Sequence, residues 1–213
     1  MKIAVIGANG KAGSNIVKEA LDRGHEVTAV VRSASKVQNQ GAAVLEKDIF
    51  DLTGDDLKAF DIVVNAFGAP LGQEQLHVDA GNVLIKALEE AGSDTRLIVV
   101  GGAGSLYVDP DKTIRVVDTP EFPEMFVATA SNQAKNLDIL RQNNRIKWTF
   151  VSPSAEFALG KRTGKYGKGT DFLLVNSKGH SYVSYEDYAI AIVDEIEQAS
   201  HVNERFTVVS ERE

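Results

Sequence analysis

An α/β fold with a doubly wound, mostly parallel sheet is predicted by three features of this 213-residue chain. Short runs of β-branched and apolar residues recur along it, amphipathic helical patterns lie between them, and a glycine-rich turn joins the first run to the first helix. The first run, Ile3-Ala4-Val5-Ile6, leads into Gly7-Ala8-Asn9-Gly10-Lys11-Ala12-Gly13, and the following helix carries Ile16, Val17, Ala20 and Leu21 on one face. Further runs are Val27-Thr28-Ala29-Val30-Val31, Ala42-Ala43-Val44-Leu45, Ile62-Val63-Val64, Leu97-Ile98-Val99-Val100 and Trp148-Thr149-Phe150-Val151. Each is apolar on both sides, as a strand covered by helices on both faces must be.

Among the helices between them, the clearest carries Leu76, Ala80, Val83, Leu84, Ala87, Leu88 and Ala91 at three- and four-residue spacing. Helix starts are marked by Thr53-Gly54-Asp55-Asp56 and Ser184-Tyr185-Glu186-Asp187, capping boxes with Asp in place of Glu, so that Asp187 caps its own helix. In Thr119-Pro120-Glu121 a proline stands at a first helical position. Gly24 and Gly92 fall where helices should stop. The Gly- and Lys-rich segment from Gly160 to Gly179 has no clear period and follows the sixth strand, where open α/β sheets carry substrate loops. It reads as part of a small C-terminal cap with elements from about residue 154 to 183, and no repeat or linker divides the chain, so one domain over 1–213 is expected.

Composition narrows the function classes. A net charge of −7 disfavours a nucleic-acid footprint, which needs a dense Lys/Arg patch. The absence of Cys excludes disulfides and thiolate chemistry. His25, His77, His180 and His201 are scattered without metal-ligand spacing, so no metal is expected. No signal segment precedes the first strand and no apolar run is long enough to span a bilayer, so a cytoplasmic protein without a membrane partner is expected.

The glycine turn is the strongest chemical signal. Between a buried strand and a helix, residues without a Cβ let the backbone approach a pyrophosphate at the helix N-terminus. The spacing G-x-x-G-x-x-G is one residue longer in its first interval than G-x-G-x-x-G, so the strand-turn-helix setting carries more weight than the pattern. Gly7, Asn9, Gly10, Lys11, Ala12 and Gly13 are the expected phosphate cradle. At the end of the second strand a carboxylate would accept the ribose hydroxyls of NAD(H); Val31-Arg32-Ser33 instead offers a guanidinium, with Lys11 nearby. NADP(H) is therefore expected over NAD(H), unless both cations are merely solvated. Asp48 is placed to accept from the adenine amino group with Ile49 over the ring, or is a solvated turn carboxylate. Asn65, Ala66, Phe67 and Gly68 lie at the carboxyl end of the fourth strand, where the middle of the cofactor crosses the sheet; Phe67 walls the pocket there or belongs to the core.

These features, with Gly101-Gly102-Ala103-Gly104-Ser105, Arg162-Thr163-Gly164-Lys165-Tyr166, Ser184-Tyr185-Glu186-Asp187-Tyr188-Ala189 and Arg205-Phe206-Thr207-Val208, resemble the atypical short-chain dehydrogenase/reductases over nearly the whole chain. Within them the chain is similar to the NmrA-like and NADH-flavin reductase branch. The resemblance implies a Rossmann-type NAD(P)-binding domain, with Gly101 at the cofactor. The family's dehydrogenases place Tyr and Lys four apart on one helix, whereas this chain reads Ser131-Asn132-Gln133-Ala134-Lys135. The resemblance implies that Lys135 holds the nicotinamide ribose, but an aliphatic hydroxyl at Ser131 is too weak an acid to protonate an alkoxide. Ketone reduction, and epimerisation through a ketone, are therefore disfavoured.

Conjugated acceptors need less help, because their rings spread the incoming charge and take a proton from water. The expected activity is NAD(P)H-dependent reduction of a flavin, quinone or similar acceptor, with Lys135 and Ser105 as the catalytic candidates, although Ser105 is equally readable as an ordinary strand-end serine. Tyr107 and Tyr166 are open to contact with a planar substrate or to packing. The alternative is a non-catalytic NAD(P)-binding redox sensor of the NmrA-like kind. A homodimer is compatible with either.

Overall fold

The computed structural model describes residues 1–212. Its elements, in chain order, are β1 (Lys2–Ile6), α1 (Lys11–Asp22), β2 (Glu26–Val31), β3 (Ala43–Glu46), α2 (Gly54–Leu57), β4 (Ile62–Asn65), α3 (Leu76–Ala91), β5 (Arg96–Val100), α4 (Glu124–Gln142), β6 (Lys147–Ser152), β7 (Glu156–Ala158), β8 (Tyr166–Gly169), β9 (Tyr182–Ser184), α5 (Tyr185–Gln198) and β10 (Glu204–Ser210). Eight strands form one sheet in the order β3-β2-β1-β4-β5-β6-β10-β8, all parallel except β8, which runs antiparallel to β10. The chain winds outward from β1 to β3 and then returns to place β4 on the other side of β1. That reversal opens a crevice at the carboxyl ends of β1 and β4.

Alternation along β1 divides the core into two layers. Ile3 and Val5 point to the face covered by α1 and α5, where Ile16, Val17, Ala20, Tyr188, Ile192 and Phe206 are buried. Ala4 and Ile6 point to the opposite face, packed against Leu57, Leu84, Leu88, Leu137 and Leu140. Leu84, Leu137 and Leu140 are among the largest fully buried side chains, so truncating one to Ala would cost about 2–5 kcal/mol.

Helix boundaries follow local chemistry. The Asp56 carboxylate accepts both the N–H (2.8 Å) and the hydroxyl (2.7 Å) of Thr53 ahead of α2. Gly24 and Gly92 have φ of +80° and +58° at the ends of α1 and α3. The helix expected from Pro120 starts later, at Glu124, with Pro123 before it. Thr119 closes the preceding turn by donating its hydroxyl to the Val116 carbonyl at 2.8 Å, and Phe122 N–H bonds to the Thr119 carbonyl at 3.1 Å. That turn uses up the residues a helix from Pro120 would need.

Within the Gly- and Lys-rich segment, Tyr166–Gly169 extends the main sheet as β8, while β7 and β9, which flank the segment, pair in a separate parallel ribbon. Its start is clamped to the helices below. Arg162 donates twice to Glu19 of α1 at 2.8 Å, and the Tyr166 hydroxyl donates to Asp194 of α5 at 2.5 Å. The Asp187 N–H donates to Ser184 Oγ at 3.0 Å, as a capped helix start requires. Its carboxylate, however, reaches out of the helix to accept from Thr163 N–H (2.8 Å), Thr163 Oγ1–H (2.7 Å) and Gly164 N–H (2.9 Å). Asp187 therefore fastens the loop rather than closing a reciprocal cap.

Candidate functional site

A cleft of about 660 Å³ crosses the carboxyl ends of β2, β1, β4 and β5. Of the residues singled out in the sequence, it is lined by Gly7, Asn9, Gly10, Lys11, Ala12, Arg32, Asp48, Ile49, Ala66, Phe67, Gly68 and Gly101. A second groove, near 520 Å³, lies at the opposite ends of the strands and is lined by Lys58, Asp94, Arg96 and Lys147. Its charges are already matched, Lys147 with Asp94 at 2.9 Å and buried Arg96 with Glu195 at 2.9 Å, so it offers no unpaired chemistry comparable to the first.

The glycine turn is built by close backbone packing. Gly7 has φ +74°, and a Cβ there would lie 2.5 Å from the Ala66 carbonyl oxygen. A Cβ on Gly13 would lie 2.3 Å from the Gly7 carbonyl oxygen, so Gly13 shapes the turn from beneath without lining the cleft. Gly10 N–H bonds to the Gly7 carbonyl at 2.9 Å, and Ser14 is the first residue of α1 whose N–H bonds backwards, to Gly10 at 2.9 Å. The amides of Lys11, Ala12 and Gly13 are left without intrahelical partners at a positive helix end, a donor set suited to a pyrophosphate.

Beyond β2, Asn9 Nδ2 donates to the Ser33 carbonyl at 3.4 Å, tying the turn to the next loop. Glu46, at the end of β3, accepts Ala34 N–H at 2.6 Å and is thereby held to the backbone of that loop. Arg32, Lys36 and Lys11 line the cleft as exposed cations, and among the described residues none has an ion-pair partner. Lys47 also lines it but is paired with Asp56 at 2.7 Å. Asp48 accepts Phe50 N–H at 3.1 Å and so caps the turn that buries Ile49. Asn65 is buried, its Oδ1 accepting Phe67 N–H at 3.1 Å; it shapes the loop after β4 and is not itself part of the lining. Phe67 stands edge-on between Phe50 and His77, with centroids 5.9 and 6.0 Å away, and burial pushes the His77 pKa down.

At the far end the lining comprises Val100, Gly101, Thr129, Gln133, Phe157 and Tyr185. Helix α4 buries Ala130, Ala134, Leu137 and Leu140 against the sheet. Thr129 and Gln133, four apart, flank that stripe on the cleft side, whereas Lys135 lies on the other flank, exposed and outside the lining. Two glycines bring α4 this close: a Cβ on Gly102 would lie 2.0 Å from Gln133 Oε1, and one on Gly104 2.6 Å from the Ala130 Cβ. Ser105 is also outside the lining. It is buried and accepts a bond from Arg205 Nη1 at 3.2 Å. Arg205, itself buried, donates to Asp171 at 2.6 and 2.9 Å. Burial would raise the Asp171 pKa, but bonds from Lys112 and Arg205 hold it below the ordinary carboxylate value. The structure thus brings the glycine turn, Arg32, Asp48, Ile49 and the loop after β4 together, and leaves Ser105 and Lys135 apart from them.

Sequence reasoning missed Thr129, Gln133, Phe157, Tyr185, Lys36 and His77. Only Tyr185 had a usable local signal, since the residue after the Ser184 cap opens a helix beside the carboxyl edge of the sheet. Among the described residues no helix is long and apolar enough to cross a membrane, and no cluster of His, Asp or Glu has the make-up of a metal site.

The chain is 63% identical, over the full length of both sequences, to the uncharacterised protein YwnB of Bacillus subtilis. Among solved structures it is similar to a candidate NADH-flavin reductase of Streptococcus pneumoniae, with 48% identity, TM-score 0.93 and coverage of 99% of this chain and 100% of the other. A candidate epimerase of Bacteroides thetaiotaomicron shares 36% identity with TM-score 0.89, covering 100% and 98%. The two names describe different chemistry on one scaffold. The scaffold itself is assigned by a family described as NAD(P)H-binding, which matches residues 7–199 and so takes in the glycine turn, Arg32, the loop after β4 and the start of α5. In keeping with its resemblance to the NmrA-like and NADH-flavin reductase branch, the chain belongs to the NAD(P)H-binding family.

Proposed function

We propose that the protein is an NADPH-dependent reductase of a neutral, conjugated acceptor such as a flavin or quinone. The observation that carries this reading is the make-up of the far end of the cleft: two aromatic rings, Phe157 and Tyr185, with Thr129 and Gln133 and no charged side chain. A site that forms an alkoxide needs a proton donor of suitable acidity in reach; Thr129 and Gln133, the pair four apart on α4, do not titrate near neutral pH, and the phenol at this end, Tyr185, is pushed up by burial with no cation in the lining beside it to bring it down. An acceptor whose rings absorb the added charge does not need one.

In this reading the amides of Lys11, Ala12 and Gly13 bind the pyrophosphate and fix the dinucleotide along the crevice. Arg32, with Lys36, binds a 2′-phosphate at the adenosine end, which favours NADP(H) over NAD(H). Ile49 covers the adenine, and Ala66 to Gly68 give the middle of the molecule room to cross the sheet. When bound, the reduced dinucleotide supplies a hydride. The protein's part is to hold donor and acceptor face to face and keep water out, the positioning effect that accounts for much of the rate in such reactions.

The test is consumption of NADPH by purified protein offered riboflavin, FMN or menadione. Turnover above the uncatalysed rate is expected, and none with any of the three would defeat the reading. The lack of a titrating pair on α4 equally suits a redox sensor that binds the dinucleotide without reacting. A sensor would discriminate NADPH from NADP⁺ in affinity while consuming neither.

A further inference from the structure

We infer that Phe157 and Tyr185 are the acceptor-binding residues of the cleft, forming an aromatic wall that takes one face of a planar, uncharged ring system. This rests on the reductase reading above and assigns its second substrate a place. The two rings are 4.1 Å apart at 45°, both half-buried and both lining the cleft. Phe157 in turn rests on Tyr188 at 4.7 Å. Tyr188 is fully buried and its hydroxyl donates to the Val151 carbonyl at 2.7 Å, so the stack is anchored in the core and presents its outer end to the cleft. A rigid aromatic face loses little entropy on binding and favours a flat partner over a puckered one.

The polar groups around the wall fit the same ligand. Among the described residues, the Tyr185 hydroxyl, the Gln133 carboxamide and the Thr129 hydroxyl have no hydrogen-bond partner, yet all three belong to residues lining the cleft. Burial raises the Tyr185 pKa, which keeps the phenol a donor at neutral pH. A few neutral donors and acceptors among aromatic walls are what the edge of a conjugated carbonyl or ring-nitrogen system requires. With no cation at this end, a carboxylate or phosphate is not what the subsite reads; the ring is. Riboflavin should therefore bind about as well as FMN.

The experiment is equilibrium binding without turnover: full-length protein saturated with NADP⁺ and titrated with riboflavin, read by quenching of flavin fluorescence. Phe157→Leu is expected to weaken riboflavin binding roughly tenfold, the effect of losing one stacking face. Tyr185→Phe, which keeps the ring, is expected to weaken it about threefold. Affinity for NADP⁺ should stay within about twofold of wild type in both, since stacking is lost only at the acceptor. A Phe157→Leu protein that melts like wild type and binds riboflavin equally well overturns the inference. If that variant does not fold, Tyr185→Leu at the outer end of the stack decides by the same reading. Wild type that reduces riboflavin while every variant still binds it normally sinks the aromatic wall alone. Wild type that neither binds nor reduces riboflavin or menadione sinks the reductase reading beneath it.

Discussion

Gly13→Ala isolates the glycine turn from everything else in the cleft. The added methyl would sit 2.3 Å from the Gly7 carbonyl oxygen, 2.9 Å from the carbonyl carbon and 3.0 Å from Ala8 Cα, all backbone atoms that cannot rotate away. Ordinary contact begins at 3.4 Å, so turn and helix must separate by about 1 Å. A displacement of that size misaligns the amides of Lys11, Ala12 and Gly13 with respect to a bound phosphate. Losing the equivalent of two charge-assisted bonds costs about 3 kcal/mol, or roughly a hundredfold in Kd. The fold itself is expected to lose about 1–3 kcal/mol through overpacking.

Gly24→Ala is the matched control at the other end of α1. Its φ is +80° but a Cβ would meet nothing within 4 Å. It should cost about 1–2 kcal/mol of stability from the left-handed backbone alone, and leave nucleotide affinity unchanged. Calorimetric titration with NADPH beside a melting curve separates the two effects. A folded Gly13→Ala protein with wild-type affinity, or a Gly24→Ala protein that loses affinity as severely, would refute the argument that backbone contact at the turn creates the phosphate site.

Three further outcomes are expected. Arg32→Glu should weaken NADPH at least about tenfold while NADH changes little, because only the former carries the 2′-phosphate; equal loss in parallel titrations would remove Arg32 from that role. Asp187→Ala strands Thr163 and Gly164 amides that the carboxylate now satisfies, and should cost about 2–4 kcal/mol in urea unfolding; a change below about 0.5 kcal/mol would show that the loop is not fastened there. Glu19 is held below its ordinary pKa of 4.5 first by the hydrogen bond from Arg162, so the folded state binds its proton less tightly than the unfolded chain does. Its contribution is present above pH 4.5 and lost as pH falls through the lower folded value, and Glu19→Gln should flatten that acid limb in a pH series of melting temperatures.

What was legible in the sequence was what neighbours in the chain decide. Strands β1, β2, β4, β5 and β6 stand where their apolar runs put them, and Gly24 and Gly92 end helices with the positive φ that favours glycine. The edge strand β8 was hidden, because Tyr166-Gly167-Lys168-Gly169 has no apolar alternation and is recruited by pairing with β10. Asp187 was legible only by half. Its position after Ser184 signalled a helix start, but the partners of its carboxylate lie more than twenty residues away in a loop without periodicity.

The same division runs through the cleft, and it explains why its far end was harder to read than its glycine turn. The glycine turn is seven consecutive residues whose geometry is set largely by their own backbone, so the local pattern Gly7, Gly10, Gly13 contains it. The far end of the cleft has no such pattern, being assembled from β5, α4, β7 and the first residue of α5. Periodicity makes Ser131/Lys135 and Thr129/Gln133 equally good pairs on a helical face; the choice between them depends on how α4 is rotated against the sheet. Gly102 and Gly104 settle it, by letting the helix approach until Gln133 lies over one and Ala130 over the other. A side chain at either glycine would force α4 outward and change which of its residues meets the cleft, so the loop after β5 sets the facing of a helix that starts only about twenty residues further along the chain.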